Sequence, residues 1–403
     1  MNAVASIILA GMGPSGSLLA LALAKQNISV ILLEKEATLP IDLRASTFHP
    51  PSLDLIADLD AGVIKKMLTK GLKADRYQYR DRVSGDVATF DMKLLEGETQ
   101  HPFRLQLEQY ELTHCVLEVL ADYHHVDIRF SHEVLSYVEI DGGVQARVMT
   151  PDGEVLINGN FIVGCDGARS NVRKSADIEY SGFTYDEKFL VVSTDFAFED
   201  VFDDFSYVNY VSDPDEWCVI LRTEKIWRVL FPTMPKNRHD EQILLSDKFI
   251  QERLQHFCPS STPYNVPYRT LYSVNQRVAT SYYKGRMVLV GDACHINNPL
   301  GGMGMNGGLH DTFNLAPRLI DIICNGASFE QEFVAYDQQR RLLAMRFVQE
   351  HTINNKKLME STETDVQQKR QKMFMESAND PIMAKKFMME RSMIDSLRDS
   401  LQS

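Results

Sequence analysis

The first 36 residues constrain what this chain can fold into more than any other stretch. An apolar run from Ala5 to Ala10 leads into the glycines Gly11, Gly13 and Gly16, which have the spacing GxGxxG. A small, apolar helical segment follows, and a second apolar run spans residues 28–33. Strand, glycine turn, helix and strand in this order predict a βαβ unit that binds a dinucleotide.

Each glycine of this motif has a separate physical task. Gly11 permits the tight turn, Gly13 lets the backbone approach a pyrophosphate, and Gly16 lets the helix pack closely on the strand. Pro14 and Ser15 stand at the start of the helix. Because a helix N-terminus attracts anions, we expect the pyrophosphate there.

Glu34 indicates which dinucleotide the unit favours. It ends the second apolar run, about 20 residues after the glycines, where an acid accepts hydrogen bonds from a ribose 2′-hydroxyl and repels a 2′-phosphate. Lys35 follows directly, and we group it with Glu34 as a cofactor contact.

A signal peptide or a membrane-spanning helix is the alternative interpretation of the apolar N-terminus, because no charged side chain occurs between Met1 and Ala24. However, Gly13-Pro14 would break a spanning helix, and the first residues lack the Lys or Arg of a signal peptide. We therefore expect no membrane insertion.

Length and charge narrow the function further. A chain of 403 residues with 44% hydrophobic side chains is long enough for two domains with large cores. Its net charge of −13 would repel nucleic acid, so we expect no nucleic-acid partner. The six cysteines form no CxxC pair, so we predict no metal site and a reducing, cytoplasmic location.

A second motif follows the buried strand predicted at residues 161–163. Asp166 lies between Cys165 and Gly167 at the end of that strand, and Arg173 comes shortly afterwards. An acid flanked by glycine at the end of a strand is typical of the edge where α/β sheets hold ligands.

A third motif begins at Gly291-Asp292, after a short buried strand, and continues into a glycine-rich loop from Pro299 to Gly308. Residues 302–307 also satisfy GxGxxG, but no second strand with a terminal acid follows, so a second nucleotide fold is not predicted. We expect the loop to bring bare backbone against a flat ligand, with Gly304 in a conformation open to glycine. A helix from about Asn306 should then point its N-terminus at the ligand.

The three motifs together resemble the p-hydroxybenzoate hydroxylase family of single-component, FAD-dependent aromatic monooxygenases, over nearly the whole chain to about Ile320. The resemblance implies FAD as the cofactor, NADH or NADPH as a transient co-substrate, O2, and a small aromatic substrate. In this family oxygen adds to the reduced flavin at C4a, and the resulting hydroperoxide hydroxylates an electron-rich ring. The protein itself orients the reactants and excludes water.

The site residues follow partly from the motifs and partly from the resemblance. The expected FAD contacts are Gly11, Gly13, Pro14, Ser15, Gly16, Glu34, Lys35, Arg44, Gln109, Asp166, Gly167, Arg173, Gly291, Asp292, Pro299, Gly302, Gly304, Met305 and Asn306. Arg44 could also meet the phosphates from its loop, whereas Gln109 rests on the resemblance alone.

Catalytic candidates are Pro299, which adds stiffness beside the isoalloxazine, and His295. His295 matches the family's Gly-Asp-Ala-Ala-His run, while Cys294 departs from it by replacing the second alanine. We interpret this cysteine as a small buried residue. Substrate contacts are expected from the second domain, and the candidates are Tyr210, Trp217 and Arg222.

The predicted fold class is α/β: a Rossmann-like FAD-binding domain, an interleaved and mostly antiparallel β-sheet substrate domain, and a helical C-terminal region. The FAD-binding domain comprises residues 1–74, 106–176 and 284–330, the substrate domain comprises 75–105 and 177–283, and the C-terminal helices span 331–403. Asp380-Pro381 is a helix start signal within those helices.

Other functions on the same scaffold stay open at this point. One is a flavin-dependent reductase or halogenase, although Trp217 and Trp227 stand too far apart to form a halogenase Trp-x-Trp-x-Ile run. Another is a non-catalytic FAD-binding protein. For the oligomeric state we expect a monomer or a homodimer.

Overall fold

The computed structural model describes residues 6–41, 45–82, 85–213, 217–360 and 364–402. The strands in these ranges are β1 (Ser6–Ala10), β2 (Ser29–Leu33), β3 (Thr47–Phe48), β4 (Leu72–Ala74), β5 (Arg76–Asp81), β6 (Gly85–Asp91), β7 (Arg104–Gln106), β8 (Val126–Arg129), β9 (Glu133–Ile140), β10 (Gly143–Thr150), β11 (Gly153–Gly159), β12 (Phe161–Gly164), β13 (Tyr180–Thr194), β14 (Val208–Ser212), β15 (Cys218–Arg222), β16 (Trp227–Thr233), β17 (Tyr268–Ala279), β18 (Tyr283–Lys284), β19 (Met287–Leu289) and β20 (His295–Ile296).

The helices are α1 (Pro14–Ala24), α2 (Pro50–Leu59), α3 (Ala61–Lys70), α4 (Gln109–Leu120), α5 (Asn171–Ser175), α6 (Arg238–Leu244), α7 (Asp247–Phe257), α8 (Met303–Ile320), α9 (Phe329–Leu343), α10 (His351–Glu360), α11 (Thr364–Asn379), α12 (Pro381–Arg391) and α13 (Ile394–Gln402). Short 3₁₀ turns lie at Met92–Leu95, Phe198–Asp200 and Gly291–Ala293, and wider π turns lie at Asp321–Asn325 and Ala344–Glu350.

The first sheet contains the predicted dinucleotide unit. Its strand order is β18-β19-β12-β1-β2-β8, and β1 pairs in parallel with both β2 and β12. The predicted βαβ unit of β1, α1 and β2 is therefore confirmed. Because β1, β12 and β19 run parallel, the three motifs that follow them come together at one edge of the sheet.

Helix α1 explains why the N-terminus looks like a membrane segment. Every residue from Gly16 to Ala24 is buried, because the helix packs between the sheet, α4 and α8. A helix that is apolar on all sides is typical of a buried core position. Within the described ranges, no helix combines the length and apolar character needed to cross a membrane.

A three-stranded antiparallel sheet, ordered β3-β7-β4, lies beside this unit. The predicted boundary between residues 105 and 106 falls within β7, which pairs with β3 and β4. Leu105 of β7 is buried in the core of the first domain, so this strand packs on that domain. A further antiparallel sheet is formed by β9, β10 and β11.

The substrate domain is an eight-stranded sheet, ordered β20-β17-β13-β16-β15-β14-β5-β6. Its pairs are antiparallel except for β14 with β5. One face packs against α7 around Trp227 and Leu254. The other, which we call the inner face, carries Tyr210 and Trp217 and joins a cluster that includes Leu300 of the glycine loop.

The C-terminal helices α11 and α12 cover one end of the inner face. Phe374 of α11 stacks on Tyr79 with ring centroids 3.8 Å apart, and Met388 of α12 is fully buried in the same cluster. Asp380 caps α12, which confirms the predicted helix start. The predicted α/β class with interleaved domains and C-terminal helices is confirmed, while the domain boundaries stay a prediction.

Candidate active site

The first and third predicted motifs meet at one place in the structure. The start of α1, the turn Gly291–Ala293 and α8 approach one another at Ser15, Gly291 and Gly308. A Cβ on Gly291 would lie 2.8 Å from the Ser15 hydroxyl, and a Cβ on Gly308 would lie 2.9 Å from the Cα of Gly291. Such distances leave no room for side chains, so glycines allow the three segments to pack together.

The N-terminus of α1 is open to an anion. Gly13 is its N-cap, Pro14 its first residue, and neither a capping side chain nor an acid occupies the first turn. A Cβ on Gly13 would meet nothing within 4 Å, whereas one on Gly11 or Gly16 would overlap a backbone carbonyl oxygen. Gly11 and Gly16 therefore allow close packing within the protein. Gly13 leaves its backbone accessible, as a pyrophosphate site requires.

Glu34 is held at the tip of β2 by the backbone. Its Oε2 accepts a hydrogen bond of 3.0 Å from the Met12 N–H, and its Oε1 accepts one of 3.0 Å from the Glu36 N–H. The side chain is largely buried, at 8% exposure. Since an ionised carboxylate has about four acceptor sites, both oxygens keep capacity for ribose hydroxyls.

Replacing Glu34 with alanine should weaken FAD binding. A hydrogen bond to a charged acceptor contributes roughly 1.5 to 3 kcal/mol, which corresponds to about a 10- to 100-fold rise in the Kd for FAD. The exposed neighbour Glu36 provides a matched control, because Glu36→Ala removes a carboxylate and keeps the backbone donor. FAD titration of the apoprotein measures both, and an unchanged Kd for Glu34→Ala would contradict the ribose contact.

Asp166 has one satisfied and one unsatisfied oxygen. Its Oδ2 accepts from the backbone N–H groups of Asn171, at 2.7 Å, and Val172, at 3.1 Å. Its buried Oδ1 finds no donor among the described residues, and burial raises the pKa of Asp166. A buried carboxylate oxygen without a donor is costly, so a hydroxyl-bearing ligand fits this position. The adjacent Gly167 has a φ of 77°, which favours glycine.

Arg173 bonds to two loops of the site. Its guanidinium donates to the carbonyl oxygens of Ala293, at 2.9 Å, and Ala168, at 2.8 Å, and lies 3.8 Å from the ring centroid of Tyr180. The Tyr180 hydroxyl donates in turn to the Asp292 carbonyl oxygen at 2.8 Å. Arg173 therefore ties the second motif to the third, and we infer a positioning role instead of the expected direct FAD contact.

The glycine loop owes its shape to two left-handed residues. Gly301 has a φ of 95° and Gly302 a φ of 66°, and the Gly302 N–H donates to the Pro299 carbonyl oxygen at 3.1 Å. Helix α8 begins at Met303, three residues before the predicted Asn306. No side chain caps its first turn, so the predicted role of this helix end in stabilising negative charge keeps its physical basis.

The expectation for Gly304 was wrong. Gly304 lies in the first turn of α8, and it is not among the glycines with positive φ. A Cβ there would lie 3.0 Å from Oδ1 of Asn297, a side-chain atom that can move. The next residue, Met305, packs partly buried against the main core.

Both polar atoms of the Asn306 side chain form hydrogen bonds with the protein backbone. Its Nδ2 donates to the carbonyl oxygens of Thr47, at 2.9 Å, and Gly302, at 2.7 Å, while its Oδ1 accepts from the His49 N–H at 2.9 Å. The expected FAD contact of the Asn306 side chain is therefore replaced by a clamp that joins β3 to the glycine loop.

His295 lies in a buried charge network behind the third motif. Its Nε2 bonds to Oδ2 of Asp311 at 2.8 Å, and Oδ1 of Asp311 accepts from Nε of Arg340 at 2.7 Å. The side chains are 0% or 1% exposed. Asp311 also accepts from the Gly291 N–H at 3.3 Å. Enclosure in this network leaves His295 no route to a substrate, so we assign it a positioning role in place of the catalytic one.

Asp311 and Arg340 were missed by the sequence analysis, although a signal was available. Asp311 lies four residues from the buried Gly307 and Leu315 on α8, and Arg340 lies four residues from the buried Tyr336 on α9. A charge on the buried stripe of an amphipathic helix indicates a partner in the core.

The predicted substrate residues divide between the two faces of the eight-stranded sheet. Tyr210 and Trp217 lie on the inner face with Leu300. Arg222 lies on the opposite face, with its guanidinium 5.6 Å from the Trp227 ring and 3.6 Å from a Glu199 oxygen. Because successive side chains on a strand alternate between faces, the prediction of a substrate contact for Arg222 was wrong.

Two of the remaining expected contacts lie at the edge of the site, and one cannot be placed. Lys35 is exposed and lies 3.5 Å from a Glu36 oxygen, and the Gln109 N–H donates to the Ala45 carbonyl oxygen at 3.1 Å. Arg44 falls outside the described residues. The FAD contacts of these three residues stay predictions.

The site fits FAD in each of its parts. The open helix end at Gly13 suits the pyrophosphate, Glu34 suits the adenosine ribose, and the lone oxygen of Asp166 suits a hydroxyl. The side-chain-free loop at Gly301 and Gly302 leaves backbone for the flat isoalloxazine. Such a combination of donors and glycines is typical of a flavin dinucleotide site.

Comparison with known proteins decides between the functions left open. Residues 4–351 match the model of the family described as FAD binding domain. The chain belongs to this family. It is 29% identical to the para-nitrophenol 4-monooxygenase of Pseudomonas sp. (strain WBC-3), covering 99% of this chain and 98% of that protein. It is 30% identical to the 6-hydroxy-3-succinoylpyridine 3-monooxygenase HspB of Pseudomonas putida (strain DSM 28022 / S16), covering 87% of each.

The crystal structure of p-nitrophenol 4-monooxygenase PnpA from Pseudomonas putida DLL-E4 has the same fold throughout. It matches with a TM-score of 0.90 and 27% identity over 98% of both chains. The present chain is an FAD-dependent aromatic monooxygenase that uses a nicotinamide nucleotide and O2. The reductase, halogenase and non-catalytic alternatives find no support among these relatives.

Replacing Cys294 of this monooxygenase with serine should leave turnover largely intact. Cys294 is fully buried, and burial raises the pKa of its thiol well above the usual value, so the thiol stays neutral. A buried neutral thiol acts as a small apolar side chain. Steady-state kcat and FAD content test this, with Cys115→Ser as the control for a buried thiol away from the site. Loss of turnover with full FAD content would require a thiol in the mechanism.

Proposed function

We propose that this monooxygenase hydroxylates a single-ring phenol that binds between the inner face of the eight-stranded sheet and the glycine loop. The observation that supports it most directly is Leu300, which extends from the glycine loop into the apolar cluster of Tyr210 and Trp217. Leu300 is 2% exposed. An aromatic-lined space where two domains meet is a typical small-molecule site.

The names of the relatives support a phenolic substrate. One acts on para-nitrophenol and another on 6-hydroxy-3-succinoylpyridine, and both rings carry a hydroxyl group. A bound FAD would pass two electrons from the nicotinamide nucleotide to O2, so that one oxygen atom of O2 enters the ring and the other leaves as water. A ring made electron-rich by a hydroxyl group is the partner that such an oxygen atom attacks.

The residues of the chain orient the reactants and exclude water. Pro299 stiffens the loop and offers no N–H group of its own, while the uncapped first turn of α8 would offer its N–H groups to negative charge on a reduced cofactor. Tyr210 and Trp217 form the apolar wall against which a flat ring can pack. His295 and Arg173 hold the loops in place from behind.

The nicotinamide nucleotide binds only transiently in this proposal, because the dinucleotide cradle at Gly13 holds FAD. NADH and NADPH both remain candidates. The cysteines, all of which are free thiols, support a reducing cytoplasm as the location. A monomer or a homodimer is the expected oligomeric state.

Stimulation of NAD(P)H oxidation by phenols tests the proposed function. Para-nitrophenol and related single-ring phenols should accelerate NADH or NADPH oxidation by the FAD holoenzyme and yield a hydroxylated product. Methyl ethers of the same rings should stimulate it much less. Stopped-flow rates of flavin reduction with and without the phenol add a second readout, since substrate is expected to speed reduction. Hydrogen peroxide formation without hydroxylated product for every phenol would contradict the proposal.

A further inference from the structure

Arg104 is a buried cation without a counter-ion. It is 2% exposed, and its side chain makes no hydrogen bond or ion pair with any residue that the structure describes. Its one recorded contact is with an aromatic ring, since its guanidinium carbon lies 4.3 Å from the ring centroid of Tyr77. Burying an unpaired charge is costly, so a guanidinium group in this position points to an anionic ligand.

Two other buried arginines near the site are each paired with an acid. Arg228 on the inner face forms an ion pair with Glu108, and Arg340 behind the third motif forms one with Asp311. Both are as buried as Arg104, at 2% and 1% exposure. The lack of a carboxylate beside Arg104 is therefore specific to its place and is not a general feature of this core.

Strand register places Arg104 on the side of β7 that faces the proposed substrate site. Arg104 pairs with Ala74 across β7 and β4, and Ala74 belongs to the apolar cluster of the inner face. Residues directly opposite each other in a sheet share a face, so Arg104 faces that cluster. Gln106 lies on the same side of β7, and its Nε2 is buried with no acceptor among the described residues.

His49 connects this wall to the glycine loop. A His49 ring nitrogen, Nε2, lies 2.8 Å from the Gly301 carbonyl oxygen, while the buried Nδ1 has no partner among the described residues. Burial lowers the pKa of His49 well below its usual value, and the charge of Arg104 lowers it further. The imidazole is neutral at pH 7, so the positive charge of this wall is that of Arg104.

The charge of Arg104 also acts on two tyrosines of β5, Tyr77 and Tyr79. Burial raises the pKa of Tyr79 to about 12, and it also raises that of Tyr77, so both phenols stay neutral. The positive charge of Arg391, the last residue of α12, acts to lower the pKa of both tyrosines, and two of its buried nitrogens lack acceptors among the described residues.

We propose that Arg104 binds an anionic oxygen on the aromatic substrate, so that the enzyme selects rings that carry a phenolate or a carboxylate. The inference rests on the proposed function, because it concerns the ring that occupies the same space. The planar guanidinium group can give two parallel N–H donors to one oxyanion, which fixes the orientation of the ring as well as its charge. Binding the ionised form of a phenol also keeps the ring electron-rich.

Ligand titration of the FAD holoenzyme tests this subsite. The probes are para-nitrophenol as the phenolate, 4-nitrobenzoate as the carboxylate and 4-nitroanisole as an uncharged ring of similar size, followed by the perturbation of flavin absorbance. The native enzyme should bind para-nitrophenol more tightly at a pH above the pKa of this phenol than below it, and 4-nitroanisole weakly at both. Comparison of the first two probes shows which anion the subsite prefers.

Arg104→Met should raise the Kd for the preferred anion roughly 10- to 100-fold and remove its pH dependence, with little change for 4-nitroanisole and no change in FAD content. Arg104→Lys keeps the charge and should restore part of the affinity. Arg253→Met is the matched control, because Arg253 also lies over aromatic rings, 5.1 Å from Phe231, but on the opposite face of the sheet. It should leave all three Kd values unchanged.

The failures of the two proposals can be told apart. If the native enzyme hydroxylates phenols and Arg104→Met binds the anions as tightly as the native enzyme does, the subsite is overturned and the proposed function stands. Loss of FAD from both Arg104 variants would also overturn it, since Arg104 would then hold the cofactor. If Arg104→Met does not fold, equal binding of para-nitrophenol and 4-nitroanisole by the native enzyme overturns the subsite without a variant. Absence of any phenol hydroxylation overturns the proposed function itself.

Discussion

Replacing Gly13 with alanine is expected to weaken FAD binding about 10- to 100-fold while leaving the apoprotein as stable as before or slightly more stable. Apart from its chain neighbours, no atom of the residues that the structure describes lies within 4 Å of a Cβ at Gly13, and the φ of −71° is open to alanine. Alanine in a compatible conformation stabilises a fold by about 0.4 to 1 kcal/mol. The added methyl group would therefore clash only with the pyrophosphate that approaches the start of α1.

Gly11→Ala provides the contrasting control. Its φ is 103°, and a Cβ there would overlap the carbonyl oxygen of Cys165 in the neighbouring loop. We expect this variant to destabilise the apoprotein itself, as shown by urea unfolding, whereas Gly13→Ala should change only the FAD titration. An unchanged Kd for Gly13→Ala would show that the pyrophosphate does not approach this backbone.

Replacing Asp311 with asparagine should destabilise the protein by about 3 to 5 kcal/mol, because it leaves the buried Arg340 without its counter-charge. Burial alone would raise the pKa of Asp311, but His295 and Arg340 outweigh it and lower the pKa below the usual value. The carboxylate therefore stabilises the fold above about pH 4, and this contribution is lost as the pH falls through the lowered pKa.

Urea unfolding at pH 7 measures this effect. The control is Glu252→Gln, which removes an exposed pair in which a Glu252 oxygen lies 3.9 Å from Nζ of Lys248. Exposed pairs contribute about 0 to 1 kcal/mol, so this variant should unfold almost as the native protein does. Equal stability of the Asp311→Asn and Glu252→Gln variants would contradict the account of the buried network.

The role of the C-terminal helices emerges only from the packing. Their sequence is rich in methionine and gives no functional motif. In the structure α11 and α12 cover one end of the inner face, with Phe374 stacked on Tyr79 and Met388 buried in the same cluster. We expect these helices to influence which rings the enzyme accepts.

The sequence by itself determined the dinucleotide unit and its cofactor. Gly11, Gly13, Gly16 and Glu34 lie within one βαβ unit, and each requirement there is local: a turn, a close approach, a tight packing and an acid at a strand end. Local requirements leave a fixed spacing in the chain, so the fold class and FAD could be predicted. The strands of the second sheet could also be predicted, because apolar and polar residues alternate along them with a period of two.

Only the tertiary structure decided what the side chains outside that unit do. Asp311 on α8 pairs with Arg340 on α9. The Asn306 side chain bonds to a strand more than 250 residues earlier, and Arg222 lies on the face of its sheet opposite the inner face. Arg104 became a candidate because its side chain pairs with no carboxylate in the part of the chain that the structure describes. Partners and faces of this kind depend on strand register and on helices that approach from distant segments, and a charge without a partner leaves no pattern in the sequence.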